Sequence, residues 1–542
     1  MKKIILSIAF LSLTAILFLP SCNKQLNQTP KYGLNAETVY KDPANYINVL
    51  AKLYSGLSMT GLQGPAGQGD ISGIDEGFSA YIRVLWNLQE LPTDEAVCGW
   101  SDPGIPTLNK TQWNADDGWV KGMYYRIYYQ ITLCNEFIWQ SREEKLAERG
   151  FSEAVKAEIR TYRNEARFLR ALSYYHAMDL FGNVPFVDEN DRVGAFLPEQ
   201  INRTGLFTYI ENEIIDLEDL LLDPSAAPYG RASKAAAQTL MAKMYLNAEV
   251  YTGTPRYASC KTYCEKVINS GTYQLDDVYQ DMFLADNHTS PEIIFPVVYD
   301  GLYAQTWGGT TYLVCGALGG SMVASKYGVN GKWGGLRVTP QFVSKFALPT
   351  EDSEPFLNEA ILNKLRSIDS RYMFYTPGQS LQITSLSTFS NGYAFPKFKN
   401  KTKAGLNGSN NAISAHVDID FPMFRLGDVY LMLAESAFRL NDQGTALQYM
   451  NLIRERAYGN SNFNLSSVSA QDILDERARE LSWEATRRTD LIRFGQFTGG
   501  SYLWSFKGGD VNGIATDAHF DLYPIPTADK VLNPNLQQNP GY

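Results

Sequence analysis

A mainly α-helical scaffold of stacked helix pairs, interrupted by one loop-rich region, is the fold class this sequence predicts. Two observations predict it. Apolar residues recur at helical spacing in consecutive segments that come in twos. Residues 276–421, in contrast, are rich in Gly, Thr, Ser and Tyr, the composition of loops and short strands.

The elements follow in order. Segments 38–57 and 116–140 make a first helix pair, 155–181 and 206–222 a second, 233–251 and 256–270 a third, and 424–440 with 444–457 a fourth. A last long helix is expected from Ala470 to about Phe494. In the third pair the pattern reads Ala235, Ala236, Leu240, Met244, Tyr245, then Tyr257, Ala258, Val267 and Ile268. In the fourth it reads Tyr430, Leu433, Ala434, then Ala446, Leu447, Met450, Leu452 and Ile453. Small and large apolar residues alternating across a short turn resemble tetratricopeptide repeats, where each pair buries its face against its neighbours. The expected organisation is a leader over 1–21 and a single domain over 22–542. Its helical repeats occupy about 38–270 and 423–495, with a loop-rich insertion at about 276–421. A long irregular stretch within a compact domain usually carries function.

The leader is legible from Lys2 and Lys3, an apolar run over 4–19, and Leu19-Pro20-Ser21-Cys22. A basic start, a short apolar segment and a small residue at the cut make a secretory signal. A cysteine directly after the cut resembles a bacterial lipoprotein signal, with lipidation at Cys22 and attachment to a membrane through acyl chains. Pro20 is unusual in such a signal.

The net charge of −10 disfavours nucleic acid and anionic lipid as partners, because both demand a basic surface. Tyr, Phe and Trp number 33, 27 and 9, enough that some should face solvent as stacking platforms or interface anchors. Beyond Cys22 the cysteines are Cys98, Cys134, Cys260, Cys264 and Cys315, an odd set without framework spacing that reads as buried free thiols.

Catalytic motifs are missing: there is no HExxH, no GxSxG and no phosphate-binding loop. His176 lies on an apolar helix face and reads as a packed core histidine. Asp75-Glu76 and the acids Glu90, Asp94 and Glu95 could pair as in a glycosidase, but acids beside Pro92 and Thr93 more often cap a helix. Asp418 and Asp420, two apart between His416 and Phe421, can aim oxygen ligands at one calcium ion, with Asp286 from another loop. A structural calcium ion is therefore the one cofactor expected, against the simpler reading of a solvated loop.

The C-terminal third carries Glu476-Arg477-Ala478-Arg479-Glu480-Leu481, then Trp483-Glu484 and Arg487-Arg488-Thr489-Asp490-Leu491-Ile492-Arg493-Phe494-Gly495. The chain ends on Leu522-Tyr523-Pro524-Ile525-Pro526 and Asn533-Pro534-Asn535 through Tyr542. Upstream stand Glu165-Ala166-Arg167-Phe168-Leu169-Arg170 and Phe181-Gly182-Asn183-Val184-Pro185. Together these resemble the SusD/RagB family of surface lipoproteins over the whole mature chain. The departure is Ala485, where the family often has glycine.

The resemblance implies a helical nutrient-binding lipoprotein on the outer membrane, without catalytic activity, that delivers oligosaccharides to a SusC-like TonB-dependent transporter. Gly77-Phe78-Ser79-Ala80-Tyr81-Ile82-Arg83, Trp100-Ser101-Asp102-Pro103-Gly104, Gln305-Thr306-Trp307-Gly308-Gly309 and Lys332-Trp333-Gly334-Gly335 are most similar to the family's starch-binding type. The implied ligand is α-glucan, stacked on Trp100, Trp307 and Trp333, with Arg83 as the main polar contact and Asp75 and Asp102 beside it. Tyr303 and Tyr312 are the alternatives for the place of Trp307. Glycine neighbours agree with this independently, since they let an indole stand clear of the backbone. A glycoside hydrolase and a subunit that only braces its transporter are the competing functions.

Overall fold

The computed structural model describes residues 35–542, except 62, 64, 66, 192, 193, 195, 347–367 and 409–415. The leader and Cys22 lie outside the described residues.

Helix α1 spans Asn45–Ser55 and buries Tyr46, Leu50 and Leu53, a stripe at i, i+4 and i+7. The single helix expected over 38–57 is broken ahead of it. Ala36–Val39 forms one turn capped by Asn35, and Asp42-Pro43 then interrupts the chain, because proline cannot donate within a helix. Helix α2, Tyr81–Glu90, escapes sequence reading altogether. All ten of its residues are buried, among them a polar stripe of Arg83, Asn87 and Glu90 at i, i+4 and i+7.

The scaffold continues with α3 (Gly118–Gln140), α4 (Glu153–Phe181), α5 (Arg203–Glu218), α6 (Lys234–Leu246) and α7 (Tyr257–Asn269). Asp117, Ser152, Asn202 and Ser233 cap the first four of these with side-chain oxygens on early backbone N–H groups. Each helix packs on the next: α3 on α4, α4 on α5, α5 on α6, α6 on α7. His176 on α4 is a buried core histidine within 2.8 Å of the Tyr81 hydroxyl, and burial lowers its pKa to about 4.

The C-terminal stack consists of α9 (Leu426–Arg439), α10 (Gln443–Tyr458), α11 (Ala470–Leu481) and α12 (Arg487–Arg493). Helix α9 packs directly on α7, so the stack runs on as though the intervening chain were absent. Strands β2 (Ile293–Val297) and β4 (Phe421–Arg425) pair antiparallel and clip together the two ends of the loop-rich region. Residues 421–425, partly expected as helix, belong to that ladder. The loop-rich region carries helix α8, Gly309–Gly316, and the short strand β3, Leu336–Arg337, which pairs with β1, Val97–Cys98. All five described cysteines are buried thiols outside any disulfide, with Cys260 and Cys264 sulfurs 4.0 Å apart.

The long helix expected over 470–494 is two helices. Between α11 and α12, Trp483 and Ala485 adopt positive φ of 61° and 59°. The break seats the Trp483 indole in the core, fully buried, and leaves its backbone N–H bonded to Glu95 at 3.0 Å. Around it the charged motif forms buried ion pairs rather than a solvated face. Arg371 meets Asp369, Glu476 and Glu480; Arg425 meets Glu292, Glu480 and Glu484; Arg493 meets Glu435 and Asp490. These pairs tie the loop-rich region to the helices, and losing one partner of such a pair costs about 3–5 kcal/mol.

Candidate functional site

The β1–β3 ladder brings two of the expected indoles together. It extends past its strands through the Gly99 N–H, which donates to the Gly335 carbonyl at 2.9 Å. Trp100 then donates from Nε1 to the Trp333 carbonyl at 3.1 Å, and their rings lie 6.3 Å apart at 52°. A Cβ on Gly335 would stand 2.4 Å from the Trp100 ring, so glycine is what admits the indole there. The segment holding Trp333 is fastened to the end of α8, with the Trp333 N–H on the Cys315 carbonyl at 2.8 Å and Gly334 on Leu318 at 2.8 Å. Trp307, just before α8, lies 5.9 Å from Trp333 at 56°. His416 closes the row, 4.3 Å from Trp307.

All three indoles pack one side on the core and keep another toward solvent. Each successive ring is rotated by more than 50° from the last, so the row is faceted and not flat.

Arg83 sits behind this row on α2, 8% exposed. Its Nη1 donates to the carbonyls of Gly77 and Trp307, both at 3.1 Å. The guanidinium lies over Tyr312 at 4.4 Å, Trp119 at 5.5 Å and Trp100 at 5.8 Å. Among the described residues it has no carboxylate ion pair, and its Nε is buried without a hydrogen-bond acceptor. Burial lowers its pKa, against the favourable fields of Tyr312, Cys98, Asp102 and Asp75. Both aspartates are exposed. Asp75 accepts the Gly77 N–H at 2.7 Å, on the residue whose carbonyl receives Arg83.

The alternatives for Trp307 separate cleanly. Tyr312 is fully buried and donates its hydroxyl to Asn87 at 2.8 Å, so it is floor and offers no face to a ligand. Tyr303 is 87% exposed. Sequence reading missed His416 as a ring neighbour of Trp307, and Tyr312 and Trp119 as the aromatic cage of Arg83. The only trace of that cage in the sequence is the aromatic excess itself.

The other acids are structural. Arg487 donates to both oxygens of Asp94, at 2.7 and 2.9 Å, and Tyr502 adds a third bond at 2.7 Å. Burial works to raise the Asp94 pKa, but Arg487 and Lys345 outweigh it and hold the group well below the usual carboxylate range. Glu90 and Glu95 accept the N–H groups of Thr486 and Trp483, at 3.1 and 3.0 Å. All three are buried.

The three acids expected to hold calcium each accept hydrogen bonds from the protein. Asp286 accepts the Lys403 N–H with both oxygens, Asp418 accepts the Gly301 N–H at 2.8 Å, and Asp420 accepts the Tyr299 N–H at 2.9 Å and the Tyr229 hydroxyl at 2.6 Å. Among the described residues no three His, Cys, Asp or Glu side chains converge as a ligand set. Burial pushes the Asp420 pKa up to about 6.

Comparison with known proteins follows this geometry. Residues 291–542 match the SusD family, and residues 95–246 match a family described as starch-binding, associating with outer membrane. The chain is 36% identical over 529 residues to the starch-binding protein SusD of Bacteroides thetaiotaomicron, covering 91% of this chain and 92% of that one. Among solved structures, a SusD superfamily protein of Bacteroides thetaiotaomicron matches with a TM-score of 0.68 at 19% identity, covering 92% of this chain and 99% of that one. Surface glycan-binding protein A of Bacteroides fluxus matches at 0.66 and 21%, again over 92% and 99%. On whole-chain identity and a shared helical scaffold, this chain belongs to the SusD/RagB family.

Proposed function

We propose that this chain is a surface glycan-binding lipoprotein that captures starch-type α-glucan and passes it to a SusC-like TonB-dependent transporter. The observation that carries the reading is the faceted row Trp100–Trp333–Trp307. Pyranose C–H faces stack on aromatic faces. A flat β-linked chain needs coplanar platforms, whereas a coiled α-1,4 chain turns its sugars to successive facets. The identity to a starch-binding relative points the same way.

Arg83 supplies polar contact from a prepaid position. Its guanidinium is caged by rings and anchored through Nη1 on the Gly77 and Trp307 carbonyls, so the little of it that reaches the surface needs little reordering to meet a sugar hydroxyl. The chain acts by binding alone: the buried acids near the row are committed to Arg487 and to backbone N–H groups. Attachment to the outer membrane is proposed through a lipid on Cys22. Cys22→Ala should yield a soluble exported protein, and a mutant that stays membrane-bound without its transporter would remove the anchor from this account. The described residues contain no helix long and apolar enough to cross a membrane.

Isothermal titration tests the ligand. Maltoheptaose and a cyclodextrin should bind and cellohexaose should not. A protein that binds neither α-glucan would be a bracing subunit, and release of reducing ends from starch would make it a hydrolase.

A further inference from the structure

We propose that His416, Asp418 and Asp420 form a three-toothed comb that positions Trp307. The consequence for binding rests on the glycan reading above; the positioning itself does not.

The three residues alternate along one stretch of chain, and their side chains reach the same neighbour. Asp420 Oδ1 accepts the Tyr299 N–H at 2.9 Å, and Asp418 Oδ1 accepts the Gly301 N–H at 2.8 Å. His416 Nδ1 lies 3.0 Å from the Thr306 carbonyl, and its ring lies 4.3 Å from the Trp307 ring. The targets run 299, 301, 306, 307 as the teeth run 420, 418, 416, so the two segments are antiparallel. The residues between the teeth are buried, Val417 at 2% and Ile419 at 0%. The Ile419 carbonyl accepts the Thr310 hydroxyl at 2.6 Å, and the Val417 N–H donates to the Thr311 hydroxyl at 3.3 Å, which fixes the comb to the first turn of α8.

The middle of the held segment bulges outward, with Leu302 41% and Tyr303 87% exposed. It is closed locally by the Asp300–Ala304 bridge, by Asp300 Oδ1 accepting the Leu302 and Tyr303 N–H groups at 2.7 and 2.8 Å, and by Gln305 on the Gly301 carbonyl at 2.9 Å, and the comb ties this turn to the rest of the fold. The approach is close: a Cβ on Gly301 would stand 2.8 Å from the His416 carbonyl oxygen and 3.2 Å from Asp418 Oδ1. Side-chain carboxylates here replace the carbonyls that a partner strand would offer to these N–H groups. The ring of His416 sets the tilt of the Trp307 indole, so the third facet of the row is fixed before any ligand arrives. A prefixed platform binds more tightly because less side-chain ordering is charged to binding.

The test uses the full mature chain labelled with 5-fluorotryptophan, the Trp307 resonance being assigned by Trp307→Phe. Asp418→Ala and His416→Ala should shift or broaden that resonance without ligand, and should weaken maltoheptaose binding about tenfold, or about 1.4 kcal/mol. Asp418→Asn keeps an acceptor for the Gly301 N–H and should restore both readouts. His416→Phe keeps the ring without the bond to Thr306 and should keep most of the resonance position. Folded Asp418→Ala and His416→Ala proteins with an unmoved Trp307 resonance would overturn the proposal. A failure of Asp418→Asn to rescue would overturn it too. If the parent protein binds no maltoheptaose, the glycan reading falls, and the resonance alone decides the comb.

Discussion

Trp86 donates its indole N–H to the backbone carbonyl of Trp483 at 3.0 Å, across 397 residues of chain, with the two rings 5.3 Å apart and edge-on at 79°. Trp86 in turn sets its edge on Tyr312 at 5.6 Å, the ring beneath Arg83. One chain of aromatic contacts thus runs from the charged C-terminal motif to the floor of the indole row. The motif that marks the family is a foundation of the site and takes no part in its surface.

The indole row should dominate binding. A stacking aromatic at a desolvated contact contributes on the order of 2 kcal/mol, so truncating one should weaken α-glucan binding roughly thirtyfold. Trp100→Ala/Trp333→Ala should fold, since both rings are partly exposed, and should lose starch binding. Retention of binding on a starch affinity gel by a folded double mutant would discard the row as the site.

Stability should fall as pH rises through neutrality. Glu90 and Glu95 are fully buried neighbours, and Glu90 Oε2 has no hydrogen-bond donor. Burial and then Glu95 raise the Glu90 pKa; burial raises that of Glu95 to about 7 despite Arg487. Folded pKa values above the unfolded ones mean that this stabilisation is complete below the ordinary glutamate range near 4.5 and is lost as pH climbs through about 7. Melting temperature should be higher at pH 6 than at pH 8.5. Glu90→Gln supplies a permanent donor to Glu95, so its melting temperature should vary less between those two values. An equal slope in mutant and parent would rule the pair out as the source.

Ala485 should be improvable. A non-glycine residue at a φ of 59° carries a left-handed penalty of about 1–2 kcal/mol, and glycine returns about 0.5–1 kcal/mol of that as chain entropy. Ala485→Gly should therefore stabilise the fold by about 0.5–1 kcal/mol in urea denaturation, with glycan affinity unchanged. A destabilised mutant would mean that the alanine methyl packs more favourably than its backbone is strained.

Chelation tests the calcium expectation. A structural ion at Asp286, Asp418 and Asp420, each of which also accepts a backbone N–H, should make EDTA lower the melting temperature without abolishing folding, with recovery when calcium is added. A melting temperature unmoved by EDTA would remove the ion.

The sequence by itself determined the helical class, the helix pairs α4–α5, α6–α7 and α9–α10, the loop-rich excursion between them, and, through the family resemblance, the three indoles of the row; it paired 116–140 with 38–57, whereas α3 packs chiefly on α4. Those features are written locally: period in amphipathic helices, composition in loops, glycines beside exposed rings. Helix α2 carries a helical period in its polar residues Arg83, Asn87 and Glu90, and only the tertiary structure decided that this polar stripe is buried as well. The break at Trp483 was illegible because helix propensity continues through it, and only the fit of an indole between α2 and Phe395 decides against it. The spacing of Asp418 and Asp420 was read correctly as two side chains aimed the same way. What they aim at was decided by the tertiary structure, which lays the N–H groups of Tyr299 and Gly301 opposite them, because an unpaired buried N–H costs more than a carboxylate loses by bonding it.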